Sequence, residues 1–389
     1  MQFTVSEPLV SIVIVNWNYA RYVADAIDSV KEQSYRNFEC VVVDNGSTDG
    51  SADVIAASID GNPQFKLLQL PANLGHLGAG CWALDHVRGE FVTFLDADDV
   101  LFPEYLAEHL LVHLSTIYPT GLTSSNIVDV NTEGAKLDGG HCWMSLAWNS
   151  GTPSLRPKER TVCQPALADC DYAVLADATR YVSAGARGWL WCPTSSNMFR
   201  RSLLHRVRPK TDSAPIFGGL DSFFLPIVHA ITGSNLIDRP LSAYRVHENN
   251  NYSSLPHLTG RARTGKPRAE ARNVAVLSLL VRSVIEDCES MPFAIGELWD
   301  VLDVVASSDQ IMRPFEDPEV QAVLSRRFEE LVRQFGERRV LSELRRRLGF
   351  RDCMRILFAA RTGALPLAAI AQAASMEIST RVQRRLKGA

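Results

Sequence analysis

A chain of 389 residues with 46% hydrophobic and 22% charged residues has the balance of a globular protein, long enough for two domains or for one large domain with an appendage. The net charge of -4 conceals an asymmetry, since residues 326–389 carry +9 and residues 1–325 carry -13, which argues against nucleic-acid binding by the main body. The eight cysteines show neither a C-x-x-C pair nor a zinc-like His spacing and read as reduced thiols of a cytoplasmic protein, and no apolar run reaches the ~18 residues that would span a bilayer.

Met1-Gln2-Phe3-Thr4 runs toward a strand without the pattern of a signal peptide. Leu9–Val15 is a near-continuous β-branched run, as expected of a strand covered on both faces, and it stops at Asn16-Trp17-Asn18-Tyr19. Between Tyr22 and Gln33, the spacing of Val23, Ala26, Ile27 and Val30 predicts an amphipathic helix. Phe38–Val43 is a second strand, so a βαβ unit and a parallel sheet follow. Asp44 closes that strand and can accept hydrogen bonds from a base or ribose. Ser47, Thr48 and Asp49 suit turn and cap positions.

Phe65–Leu70 predicts a third strand. Asn73-Leu74-Gly75-His76-Leu77-Gly78-Ala79-Gly80 then opens a helix through Trp82, Ala83 and Val87, and its glycines permit close backbone approach to a ligand at an end that favours anions. The spacing is not a dinucleotide fingerprint. Glu90–Leu95 is a strand that runs into Asp96-Ala97-Asp98-Asp99. Carboxylates this close repel unless a cation or water intervenes, and hard oxygen ligands at a strand end suit Mg²⁺ or Mn²⁺. The structural alternative is a solvated turn before a helix starting at Pro103-Glu104.

Val-Ser-Ile-Val-Ile-Val-Asn-Trp-Asn at 10–18, Val-Val-Val-Asp-Asn-Gly-Ser-Thr-Asp at 41–49, Asn-Leu-Gly at 73–75 and Leu-Asp-Ala-Asp-Asp at 95–99 together resemble family 2 glycosyltransferases of the GT-A fold, over about residues 8–250. The resemblance implies an α/β fold, a Rossmann-like mixed sheet flanked by helices, with a nucleotide-diphospho-sugar lying across the strand ends. Val15 and Trp17 would flank the base, Asp44 would bind base or ribose, and Asn73 would belong to the same nucleotide-sugar site. Asp96 and Asp98 would form the D-x-D pair, with Asp96 on the ribose and Asp98 on a Mn²⁺ or Mg²⁺ ion that holds the diphosphate.

Gly121–Val130 predicts another strand. Residues 131–185, with Trp143, Trp148, Pro153 and Pro157 among polar residues, read either as a lid or acceptor region or as a packed insert. Residues 188–201 resemble the family's acceptor-side segment, where Trp191 is a candidate to stack on a sugar or else a core tryptophan. Asp221 stands where the family has its catalytic base, and Leu220 replaces a common Glu there. An N-cap is the alternative for Asp221, with Asp171 and Asp212 next in line as bases. The Tyr-Arg-x-His segment at 244–247 makes His247 a candidate third metal ligand and Arg245 a charge partner of the diphosphate; a structural histidine is the alternative.

The expected domains are a GT-A domain over 1–253, with a nucleotide-sugar half at about 8–130 and an acceptor half at 131–253, a linker at 254–272, and a helical region over 273–389 with helices at 273–287, 295–306, 317–335 and 337–347. Its basic amphipathic stretch at 326–389 suggests either an anionic membrane surface at the inner face of the plasma membrane or a homo-oligomer contact. The functional expectation is an inverting, metal-dependent transfer from a nucleotide-diphospho-sugar, UDP-sugar favoured, to a hydroxyl of a glycan or lipid-linked acceptor in bacterial surface polysaccharide synthesis. The alternative is a sugar-nucleotide-binding module without activity.

Overall fold

The computed structural model describes residues 7–137, 152–153, 155, 172–186, 188–210, 216–248, 250, 267–287, 315 and 317–359. The chain divides into two compact units, Met1–Val276 and Leu277–Ala389.

The first unit opens with strictly alternating strands and helices: β1 (Val10–Asn16), α1 (Val23–Lys31), β2 (Phe38–Asp44), α2 (Ser51–Ile59), β3 (Phe65–Gln69), α3 (Gly75–Ala83) and β4 (Phe91–Asp96). β1 is buried at every residue, which is why its sequence is apolar without alternation. It lies between β2 and β4, parallel to both, with Asn16 opposite Asp44 and Val15 opposite Asp96. Because all these strands run the same way, their polar last residues collect at one edge of the sheet. α1 covers the sheet with the four apolar residues its spacing predicts, Val23, Ala26, Ile27 and Val30.

The rest of the unit is mixed. It contains β5 (Val100–Leu101), α4 (Tyr105–Ser115), β6 (Leu122–Val130), β7 (Thr152–Pro153), α5 (Tyr172–Asp177), β8 (Thr179–Val182), β9 (Asn197–Arg200), α6 (Arg201–Val207), α7 (Leu220–Thr232) and β10 (Ser234–Arg245). Among the described residues the sheet order is β3-β2-β1-β4-β9-β6-β10-β8-β7, with β5 on β10. β9 runs antiparallel to β4 and β6, while β10 is parallel to β6 and antiparallel to β8. This is the mixed sheet flanked by helices that the resemblance implied.

The remaining helices are α8 (Pro267–Asp287), α9 (Pro318–Phe335) and α10 (Glu337–Ala359). Asp317 caps α9 by accepting from Glu319 N, Pro318 follows at its first position, and Gly336, with φ of +79°, ends it. Two expected boundaries are corrected. α8 starts at Pro267, inside the expected linker, because proline at a helix start loses no hydrogen bond the helix would make. α10 continues past 347 to Ala359, since Cys353, Ile356 and Leu357 prolong its buried face. The helix expected at 295–306, and Trp143, Trp148, Pro157, Asp171 and Asp212, lie outside the described residues.

Candidate active site

Asp96, Asp98 and Asp99 leave β4 on a turn that gathers one oxygen from each within 4.8 Å of the others. These are hard donors grouped within reach of one ion, and they fit a divalent cation. The three are held differently. Asp99 is fully buried and both its oxygens are taken, Oδ2 by Ser195 Oγ at 2.6 Å and Oδ1 by the Arg245 backbone N–H at 3.0 Å. Burial, followed by the charges of Asp98 and Asp96, pushes its carboxyl well above the ordinary range. Asp98 Oδ2 lies 2.9 Å from His247 Nε2, and Asp96 Oδ1 lies 2.9 Å from His76 Nε2. Ser195 Oγ also accepts from Asp96 N at 3.1 Å, so one hydroxyl joins the two ends of the acidic turn.

Arg245 completes the clamp. Its Nε donates to the Asp98 carbonyl at 2.9 Å, Nη1 to the Thr132 carbonyl at 3.2 Å, and Nη2 meets Asp25 at 2.8 Å, while the guanidinium lies 5.0 Å from the centre of the Tyr22 ring. The side chain therefore grips the turn from behind. His247 is buried, stacked on Tyr22 at 4.9 Å and edge-on to Tyr19 at 5.7 Å. Burial and the neighbouring Asp98 drive the Tyr19 hydroxyl far up from its ordinary value, so it stays protonated.

At the nucleotide half, Asp44 is buried and accepts from Asn16 Nδ2 at 3.2 Å. Val15 is nearly closed off while Trp17 is 47% exposed at the rim. Ser47 and Asp49 hold the β1 and β2 turns together, Ser47 Oγ accepting from Asn18 N at 2.9 Å and Asp49 from Ala20 N at 2.9 Å, the local roles their types suggest. Asn73 Oδ1 accepts from Gly75 N at 2.7 Å and from Asn45 Nδ2 at 3.0 Å, which shapes the entry to α3.

Gly75 is required here. Its φ is +76°, and a Cβ would sit 2.1 Å from the carbonyl oxygen of Ile216. The contact lets Ile216 N bond to Leu74 O at 2.7 Å and Leu77 N to Gly218 O at 3.0 Å, tying the start of α3 to the start of α7. Asp221, in the first turn of α7, is partly buried and accepts from Ser222 N at 2.6 Å. Burial and the Asp96 charge raise its carboxyl, with His76 working against them. Leu220, in place of the family's Glu, is buried and fills the space beside Gly80, where a Cβ would meet it at 2.4 Å.

One expectation is overturned by packing. Trp191 is only 1% exposed, its indole N–H donates to Ser234 Oγ at 2.9 Å and its ring meets His229 edge-on, so it is a core tryptophan with no face open to a sugar. Its neighbour Trp189 is 37% exposed. Sequence reasoning gave no role to Ser195, Tyr19, Tyr22, Asp25 or His76. For His76 a signal existed, an imidazole in a glycine-rich helix start; for Ser195 there was none.

With this geometry in view, comparison with known proteins is direct. The profile of glycosyl transferase family 2 matches residues 11–148. An uncharacterized glycosyltransferase of Nostoc sp. is 30% identical over 275 residues, 70% of this chain and 76% of that protein. Chondroitin synthase of Pasteurella multocida is 31% identical over 138 residues, 35% of this chain and 14% of that much longer protein. Among solved structures, S. aureus TarS 1-349 in complex with UDP superposes with a TM-score of 0.49 at 16% identity, covering 90% of this chain and 87% of that one. On the extent of the Nostoc match and the shared profile, the chain belongs to glycosyl transferase family 2.

Proposed function

We propose that this glycosyltransferase is inverting and metal-dependent, moving a sugar from a nucleotide-diphospho-sugar to a hydroxyl of a growing glycan. The observation that carries the reading is the pairing of an acidic turn able to hold one cation with a second carboxylate, Asp221, that feels the charge of Asp96.

In this reading Val15 and Trp17 flank the base, Asp44 contacts base or ribose, Asn73 shapes the adjoining turn, and Asp96 meets the ribose. Asp98 and His247 would hold Mn²⁺ or Mg²⁺, which supplies positive charge against the departing diphosphate when bound. Arg245 serves the donor indirectly, because its guanidinium is engaged in fixing the acidic turn. Asp221 takes the proton of the acceptor hydroxyl as that oxygen bonds to the anomeric carbon, and the carbon–oxygen bond to the nucleoside diphosphate breaks on the opposite face. A single displacement inverts the centre. The raised carboxyl of Asp221 favours this work, since a base nearer neutrality is stronger while still ionised.

A bacterial surface polysaccharide, lipid-linked or free, is the acceptor class we favour, in keeping with the polysaccharide synthase named among the relatives. UDP is the favoured carrier. Leu220 packs beside Gly80 and supplies no carboxylate next to Asp221, and it is the residue that makes an inactive binding module the second reading. Attachment to anionic lipid through 326–389 would rest on charge, since Val340, Leu341, Leu344, Ile356 and Leu357 of the basic helix are buried.

The test is a screen of nucleotide-sugars with Mn²⁺ or Mg²⁺ for thermal stabilisation, followed by assay of nucleoside diphosphate release on adding glycan acceptors. Release that depends on both acceptor and metal is expected. Donor binding with no release across a broad acceptor panel would favour the inactive module.

A further inference from the structure

His76 lies at the centre of the site without belonging to any role assigned above. The two backbone bonds from the 216–218 segment to the start of α3 bring the first turns of α3 and α7 together, with Asp96 before them. There His76 Nε2 stands 2.9 Å from Asp96 Oδ1, and the charges of His76 and Asp221 act on each other. The two side chains keep 28% and 26% of their surface exposed, although the Asp96 oxygen that faces His76 is itself buried.

In the donor-site reading, on which this inference rests, Asp98 marks the diphosphate end, Asp96 the ribose beside it and Asp221 the anomeric carbon. What lies between them is the sugar being transferred. We propose that His76 is a donor-specificity residue, its ring hydrogen-bonding a hydroxyl of the transferred sugar from its place against Asp96. The chemistry is matched, because a sugar hydroxyl both donates and accepts, and a neutral imidazole offers one donor and one acceptor nitrogen. Such a contact discriminates strongly, since a sugar with that hydroxyl missing or inverted leaves a polar group of the site without a partner.

The experiment measures binding of UDP, UDP-glucose, UDP-galactose, UDP-N-acetylglucosamine, GDP and GDP-mannose, each with Mn²⁺, to the full chain and to His76→Ala and His76→Gln. For the preferred sugar nucleotide, His76→Ala should lose about 10–100-fold in affinity while the matching nucleoside diphosphate changes by less than about 3-fold, as expected for one hydrogen bond in a charged setting. Gln keeps an N–H near the position of Nε2, so His76→Gln should recover part of the loss and alter the order of preference among the sugars. That second variant decides the matter if His76→Ala does not fold. Equal losses for the diphosphate and the sugar nucleotide would mean that His76 acts on the nucleotide through Asp96, and no loss would make it a bystander; either overturns the proposal. A wild-type protein that binds UDP or GDP no differently when a sugar is attached overturns it alone, whereas one that binds none of these nucleotides overturns the donor-site reading beneath it.

Discussion

The two ends of β4 each carry a cluster of ionisable side chains, and they differ in one respect. At the last residue stand Asp96, Asp98 and Asp99, of one sign and with the Asp96 side chain partly exposed. Beside the first residue, Phe91, lies His113, 4.8 Å from its ring, and both His113 and His109, one turn away on α4, meet the Thr123 hydroxyl, at 3.2 and 2.7 Å. These histidines are 2% and 0% exposed. Burial pushes His113 down to about 3 and His109 well below its ordinary value, so the pair is neutral and sealed. A cluster that neutralises itself can close over. One that accumulates a single charge needs a partner from outside, and unbalanced charge that stays partly exposed marks a ligand site better than the number of titratable groups does.

The sharpest way to break this contrast is to remove the outside partner. Asp98→Ala, or wild-type protein in excess EDTA, should lose all measurable transfer; full turnover in EDTA would refute the metal assignment. Next in size, Asp221→Asn should lower the transfer rate by roughly 10²–10⁴-fold with donor binding retained, read by single-turnover kinetics beside calorimetry. Near-normal turnover would move the base elsewhere.

The histidine end should respond in stability instead. A histidine at about 3 when folded and about 6.5 when unfolded takes up its proton on unfolding, so its contribution is full above pH ~6.5 and is lost as pH falls toward ~3. Each unit of that depression corresponds to about 1.4 kcal/mol. Asp99 acts with the opposite sign, its raised carboxyl favouring the folded state in acid. Melting curves between pH 7.5 and 4.5 should therefore fall less steeply for His113→Gln than for wild type, and parallel slopes would remove His113 from the account.

The smallest effect concerns the second unit, where the same rule applies to positive charge. Arg338 and Arg339 are exposed on α10, and each basic residue near an anionic surface is worth about 1 kcal/mol. Sedimentation with anionic vesicles at low salt should weaken in Arg338→Glu/Arg339→Glu and vanish at high salt. Binding that survives both changes would show that charge is not what attaches the protein.

Much of the first unit could be read from local pattern. The apolar run of β1, the spacing on α1 and the three aspartates at 96–99 each follow from residues within a few positions of one another, and each appears in the structure where expected. Failures came where the deciding contact is distant. Trp191 is a buried residue because Ser234 and His229 receive it. Nothing near Ser195 foretells a bond to Asp99, 96 residues earlier in the chain. The length of α10 was missed for another reason: its outward face is so rich in arginine that the periodicity of its buried residues fades before Ala359.

The acidic turn also has a history within each molecule. Its four residues are made early, but the groups that hold them arrive with Ser195, Arg245 and His247, across separations of 96, 146 and 149 residues. Asp25 waits still longer for its arginine, 220 residues away. A chain emerging from the ribosome thus displays the donor motifs of its first hundred residues well before it owns a donor site, and contacts of such span form late because long loops must close first. Fragments cut after the acidic turn would keep the aspartates and lose the clamp, which is complete only with His247, past the end of β10.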